Sequence, residues 1–200
     1  MPRGVPIAEP RQHLFAAAER VIAAGGPHQL TSRAVTTEAG VATGLLFTHF
    51  RNFDDFLLGY AVDRSFHIAG ITAGLPGRAG TGTVATNLSE AALATPLITW
   101  QAVTRLTAHR PALAAAVEAV LGHGNAALQA FERAVVAYLL AEQRLGRLPA
   151  GADTEALALA VVGVLHHVAL TDGAGPSADD RIRRAMTALT DDPRAVDKVR

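Results

Sequence analysis

Residues 30–56 read LTSRAVTTEAGVATGLLFTHFRNFDDF, and their spacing sets how the rest of the chain is read. The centre is Ala39-Gly40-Val41, a tight bend between two short helical patterns. The first runs from Thr31 to Glu38, with Thr31 or Ser32 accepting a backbone N–H as its N-cap. The second runs from Thr43 to Phe50 and puts Leu46 and Phe50, four apart, on one buried stripe. A glycine at the bend supplies the positive φ that a short helix-to-helix connection demands. Two helices joined in this way form a helix-turn-helix, whose second helix fits a DNA major groove.

Working outward, an amphipathic helix is expected from about Arg11 to Ala24. Leu14, Ala18, Val21 and Ile22 form its buried stripe, and Arg11, Glu19 and Arg20 its other face. Gly25-Gly26-Pro27 stops it. Past the second short helix, Asn52 or Asp54 caps a fourth helix through about Ile68, with Phe53, Phe56, Leu57, Tyr60 and Ala61 apolar. Residues 1–10, with three prolines, read as a disordered arm. Residues 70–83 hold five glycines and a proline at Gly70, Gly74, Pro76, Gly77, Gly80 and Gly82, and read as a mobile loop. No strand precedes that loop and no Gly-Lys-Ser/Thr occurs, so it is not a phosphate cradle.

Further helical patterns follow at about 83–94, 96–109, 111–145, 153–172 and 178–190. The long 111–145 pattern bends or breaks at Gly122–Asn125. Asp153 or Thr154 caps the next helix, and Ser177 with Asp180 resembles a capping box after the Gly173–Pro176 turn. The class is all-α with about nine helices. Two domains are expected, 1–53 and 54–200, joined by a helix over 54–69.

Composition narrows the chemistry. Of the 200 residues half are apolar, 18 basic residues balance 18 acidic ones, and cysteine is absent. Disulfides, thiolate metal sites and thiol nucleophiles are therefore excluded. His166-His167 are adjacent, point about 100° apart on a helix and lack a ligand at i+4, so no metal is expected. Paired acids (Asp54-Asp55, Asp179-Asp180, Asp191-Asp192) fall at caps and turns, and no catalytic constellation emerges. The apolar run Ala156–Leu170 is too short for a membrane span. Within residues 1–60, Arg3, Arg11, Arg20, Arg33 and Arg51 are matched by Glu9, Glu19, Glu38, Asp54 and Asp55, so no basic patch announces a nucleic-acid partner.

Even so, Thr31–Phe56 resembles the TetR family of one-component transcriptional regulators. Thr31, Val35, Ala39, Gly40, Val41, Gly44, Leu46 and Phe50 match its wording in type and spacing. Three positions depart from it: Ala42 replaces the usual Ser, Phe47 the usual Tyr and Phe53 the usual Lys. The resemblance implies DNA contacts from Thr31 and Arg33 on the first short helix. On the second it implies Thr43, Leu45, Phe47, Thr48 and His49, with Arg51 and Asn52 just beyond.

It also implies an effector-binding second domain that dimerises through its last two helices, over about 153–172 and 178–190. Ile182, Ala185, Met186 and Leu189 share one face of the last. Trp100, Val103, Leu121, Phe131 and Tyr138 are the apolar candidates for a ligand pocket, with Leu106 and Val135. Gln101, Arg105 and His109, with His123, are the polar ones. The expectation is a cytoplasmic homodimeric regulator, not an enzyme, that needs no cofactor and no membrane. It would repress from a pseudo-palindromic double-stranded operator until a small, largely apolar effector released it. The alternative, motivated by the three departures, is a ligand-binding or scaffold protein of the same fold with weak or lost DNA affinity.

Overall fold

The computed structural model describes residues 9–171 and 175–190. Most of the arm, residues 173 and 174 of the expected turn, residue 172 and the tail from Asp191 lie outside the described residues. Among those described there are ten α-helices, two short 3-10 turns and no strand. The helices are α1 (Pro10–Gly25), α2 (Ser32–Glu38), α3 (Thr43–His49), α4 (Phe53–Thr72) and α5 (Val84–Leu93). They continue as α6 (Leu97–His109), α7 (Pro111–Leu121), α8 (Ala127–Arg144), α9 (Thr154–Thr171) and α10 (Pro176–Thr190). The 111–145 pattern breaks where glycine allows it, at Gly122 with φ of 84°.

The caps follow local chemistry. The Thr31 hydroxyl accepts from Ala34 N at 3.1 Å, Asn52 Oδ1 from Asp55 N at 2.8 Å, and Asp153 Oδ1 from Ala156 N at 3.0 Å. Asp54 and Asp55 occupy the first turn of α4, where the helix dipole favours negative charge. At α10 the first helical residue is Pro176, so Ser177 stands inside the helix rather than at a cap.

Helices α1 to α4 close on five rings. Phe15 lies 5.8 Å from Phe50, 5.6 Å from Phe56 and 5.6 Å from Tyr60, with Phe53 stacked on Phe56 at 5.5 Å. Such pairs contribute roughly 0.5–1.5 kcal/mol each beyond the area they bury. Glu19, expected on the solvent face of α1, is instead buried. Its carboxylate accepts from Arg64 Nε at 2.7 Å and from the Tyr60 hydroxyl at 3.4 Å, while Arg64 also donates to Gln12 and Asp63 at 2.8 Å. The stripe misassigns Glu19 because α4 covers a second side of α1.

The stretch after α4 is not a free loop. α4 runs to Thr72, Leu75–Arg78 forms a 3-10 turn, and Leu75 is buried. Asn87 Nδ2 donates to Thr81 O at 2.8 Å and to the Tyr138 hydroxyl at 2.9 Å, and Gly80 N donates to the buried Glu142 at 3.3 Å. Glycine content hid these fastenings, because their partners come from α5 and α8, later in the chain.

Beyond α4, α8 is central, packing against α4 and α9, with Phe131, Val135, Tyr138 and Leu139 buried. α9 is long and apolar enough to cross a membrane by length and composition alone, at mean hydropathy 1.5. It outruns the 156–170 segment because Thr154, Glu155 and Thr171 are also helical. Here it is a core helix, with Ala158, Val161, Leu165 and Val168 buried against α6, α8 and α10, while Leu159 remains 62% exposed.

The buried pair and the buried phenols each have a measurable consequence. Arg64→Met leaves the Glu19 carboxylate buried without its cation and should lower unfolding stability by about 3 kcal/mol, read from urea melts. Adding Glu19→Gln should return much of the loss. Separately, both tyrosines resist ionisation. Burial, and then the Glu19 charge, push the Tyr60 phenol well above its usual value, and burial with the Glu142 hydrogen bond raises Tyr138 to about 12. Raised folded-state values favour the neutral phenols. Their contribution therefore holds below pH 10 and fades as pH rises toward about 12. Tyrosinate absorbance should stay flat through pH 10 in the folded protein; half-ionisation there would contradict the buried geometry.

Candidate nucleic-acid interface and ligand cavities

The bend between α2 and α3 is hydrogen-bonded throughout. Ala39 N donates to Val35 O at 2.9 Å, Gly40 N to Thr37 O at 3.0 Å and Val41 N to Thr36 O at 2.9 Å. Gly40 takes φ of 67°, and a Cβ there would meet no atom within 4 Å. The glycine is required for its backbone conformation, not for space. His13 Nε2 lies 2.8 Å from Ala39 O, which ties the bend to α1. The Thr36 and Thr43 hydroxyls share a hydrogen bond at 3.2 Å, which fixes the start of α3 on α2.

α3 then divides into an anchored and an outward face. Leu46 and Phe50 are buried, while Thr43, Gly44, Phe47 and Thr48 are exposed, Phe47 at 48%. Phe47 therefore does not tuck beneath the helix. Leu45 and His49 are half-buried, and His49 faces the start of α1 across a shallow recess shared with Arg11 and Gln12. The Thr48 hydroxyl donates to Gly44 O at 3.0 Å, which leaves its acceptor lone pairs outward. Thr31, the N-cap of α2, and Arg33 on α2 are exposed.

Charge on this surface is mostly paired. Arg20 meets Glu38 at 2.6 Å, and Arg51 meets Asp55 at 3.1 Å. The Arg51 guanidinium and N–H hold the Asp55 carboxyl below its ordinary value, and the pair raises Arg51 in turn. Arg51 remains 87% exposed, so the pair is readily exchanged for another anion. Arg33 has no ionic partner among the described residues, and the Arg11 guanidinium lies 4.6 Å above the Phe50 ring.

Two cavities lie along α4. One, of about 120 Å³, lies among α4, α6, α7 and α8 and is lined by Ser65, Val103, Thr104, Thr107, Glu118 and Gln129 with smaller apolar residues. The other, of about 550 Å³, is a cleft between the start of α4 and the start of α7. Of the ligand candidates drawn from the sequence, Val103 lines the interior cavity. The other ten do not, and the reason is that partners inside the fold occupy them or that they lie at its edge. Trp100 lies tilted against Phe131 at 5.5 Å and donates to Ala92 O at 3.1 Å, while Asn87 donates to the Tyr138 hydroxyl. Gln101 is buried on α6, and Arg105 donates to Leu170 O at 3.0 Å near the end of α9. His109 is exposed where α6 ends, and Leu121 is half-buried where α7 ends. Thr104 and Thr107 carried a usable signal that was missed, two hydroxyls three apart on an apolar helix.

This geometry is a helix-turn-helix followed by further helices, all-α among the described residues. Residues 14–59 match the model of the bacterial regulatory proteins, tetR family. The structure resembles the fatty acid degradation regulator FadR of Bacillus halodurans, at 17% identity, TM-score 0.69 and 95% and 99% coverage of the two chains. It also resembles FadR of Bacillus subtilis in complex with stearoyl-CoA, at 16%, 0.64 and coverage of 90% and 97%. A third likeness is SmeT, the repressor of the Stenotrophomonas maltophilia multidrug efflux pump SmeDEF, at 17%, 0.57 and coverage of 90% and 86%. No curated protein matches the chain in sequence.

The split between the faces of α3 is directly measurable. Leu46→Ala should cost about 2–5 kcal/mol of stability, whereas Phe47→Ala should stay within about 0.5 kcal/mol. Equal losses in thermal melts would show that Phe47 packs inward.

Proposed function

We propose that the protein is a homodimeric, cytoplasmic transcriptional repressor that reads a pseudo-palindromic double-stranded operator with α3. The observation that carries this reading is the outward Thr43–Phe47–Thr48 face, held on a buried Leu46 and Phe50. Thr48 and Thr43 would reach base edges, Leu45 and Phe47 offer apolar contact to thymine methyls, and His49 adds a donor. Thr31, Arg33, Arg51 and Asn52 would meet phosphate and set register. With residues 1–53 as the reading domain and 54–200 as the effector and dimerisation domain, α4 links the two.

The exposed side of α9, including Leu159 and Gly163, supports pairing with a second copy through α9 and α10. Pairing of that kind sets two recognition helices about one DNA turn apart. A small, largely apolar effector would enter between α4, α6, α7 and α8 and shift the spacing of the two helices. The FadR complex with stearoyl-CoA and the efflux-pump repressor SmeT make effector control a reasonable carry-over. A second reading, a ligand-binding protein of this fold without useful DNA affinity, is favoured by the pairing of Arg20 and Arg51 with acids.

Selection from a random duplex pool with a salt titration separates the two readings. Three or four phosphate-neutralising groups per subunit give a slope of roughly −5 to −7 in log affinity against log salt. Enrichment of a pseudo-palindrome with such a slope is the expected result, and no enrichment with a flat slope selects the second reading. Arg33→Ala should weaken all sequences alike and make the slope shallower by about 2 per dimer, whereas Thr48→Ala should relax preference at particular base pairs. Unchanged preference in the Thr48 variant would remove that residue from base contact.

A further inference from the structure

We propose that the cleft between α4 and α7 is a second small-molecule site, one that takes an uncharged, mostly apolar organic molecule. Its volume of about 550 Å³ falls in the range of drug-sized ligand pockets. The interior cavity, at about 120 Å³, falls below that range. The two share no lining residue. In this conformation the cleft, not the interior cavity, is open at ligand size.

Its chemistry selects the occupant. Leu57 and Leu58 of α4 face Leu113 and Ala116 of α7 and make an apolar floor. The four ionic side chains around it are already joined in two neutral pairs, Arg51 with Asp55 at 3.1 Å and Arg110 with Asp54 at 3.3 Å. Both pairs are solvent-exposed and weakly held, so the apolar floor supplies the affinity, and a neutral ligand buries that floor while leaving the pairs intact. The Arg110–Asp54 pair also reaches from the α6–α7 corner to the first turn of α4. Arg51 and Asn52, in the same lining, closely follow the last turn of α3. An occupant therefore wedges between the reading domain and α7, next to the connection that sets the tilt of α3.

Nile red, a neutral apolar dye, serves as the probe in a fluorescence titration of the full chain. The expected result is saturable binding of one dye per subunit. It should weaken tenfold or more in Ala116→Trp, which fills the cleft, and stay unchanged in Gln129→Trp, which covers the interior cavity. Hydrogen exchange of the parent chain with dye should show new protection over 53–58 and 110–116, and this decides the matter if Ala116→Trp fails to fold. Absence of binding, parent-like binding by a folded Ala116→Trp, protection over 103–107 and 126–129 instead, or dye loss as the protein self-associates would each overturn the assignment. Neither readout involves DNA. Failure here leaves the repressor reading untouched, and failure of the operator selection leaves the cleft untouched.

Discussion

The position of α3 depends on one aromatic side chain. Phe50 follows the helix directly, takes an extended backbone conformation, and buries its ring against Phe15 of α1 and Phe56 of α4 at 5.8 and 5.1 Å. Gly59 makes that seat possible, since a Cβ there would stand 3.0 Å from the Phe50 ring. The Arg11 guanidinium covers the ring from the solvent side. A seven-residue helix has little stability of its own, because nucleation costs more than so few hydrogen bonds return. Leu46 and Phe50 therefore hold α3 in place, and its outward residues inherit their direction from that anchorage.

The same cluster makes α1 to α4 a section of a larger body. α1 packs on α6 as well as on α2, and the short turn Pro27–Gln29 also meets α6. α4 meets both α7 and α8. Two contacts thus join the halves, one through α1 and α6 and one through α4. The buried Glu19–Arg64 pair fastens α1 to α4, so neither helix shifts without moving the other. Sequence periodicity suggests a single connecting helix; the packing of α1 on α6 is the second path.

How much of this was legible depends on the range of the interaction involved. The Thr31, Asn52 and Asp153 caps, the Gly40 bend and the break at Gly122 are local, and each is set within four residues of the chain. Glu19, Tyr138 and Trp100 have partners on other helices, at Arg64, Asn87 and Ala92, that local spacing does not reveal. A polar or aromatic residue on a helix reads alike whether it lines a pocket or braces a core, until the facing helix is known. The fastened 70–83 stretch follows the same logic, since its partners Asn87 and Glu142 come later in the chain. For the reading face the inward residues were clear from four-residue spacing, while the exposure of Phe47 and the pairing of Arg51 needed coordinates.

In the repressor reading, the small interior cavity carries its own consequence. At about 120 Å³ it has to enlarge several-fold before it holds an organic effector, and its walls are α4, α6, α7 and α8. α8 is tied to α9 and to the 75–80 stretch, and α6 to α1 and α9, so both are costly to displace. α7 has a single fully buried residue, Val117, and is bounded by Pro111 and Gly122, which makes it the least anchored wall. Enlargement at α7 also changes the cleft, because Leu113 and Ala116 line the cleft while Ala114 and Val117 line the cavity. The two spaces lie on adjacent sides of one short helix. Filling either alters the packing of α7 against α4, which leads directly to α3.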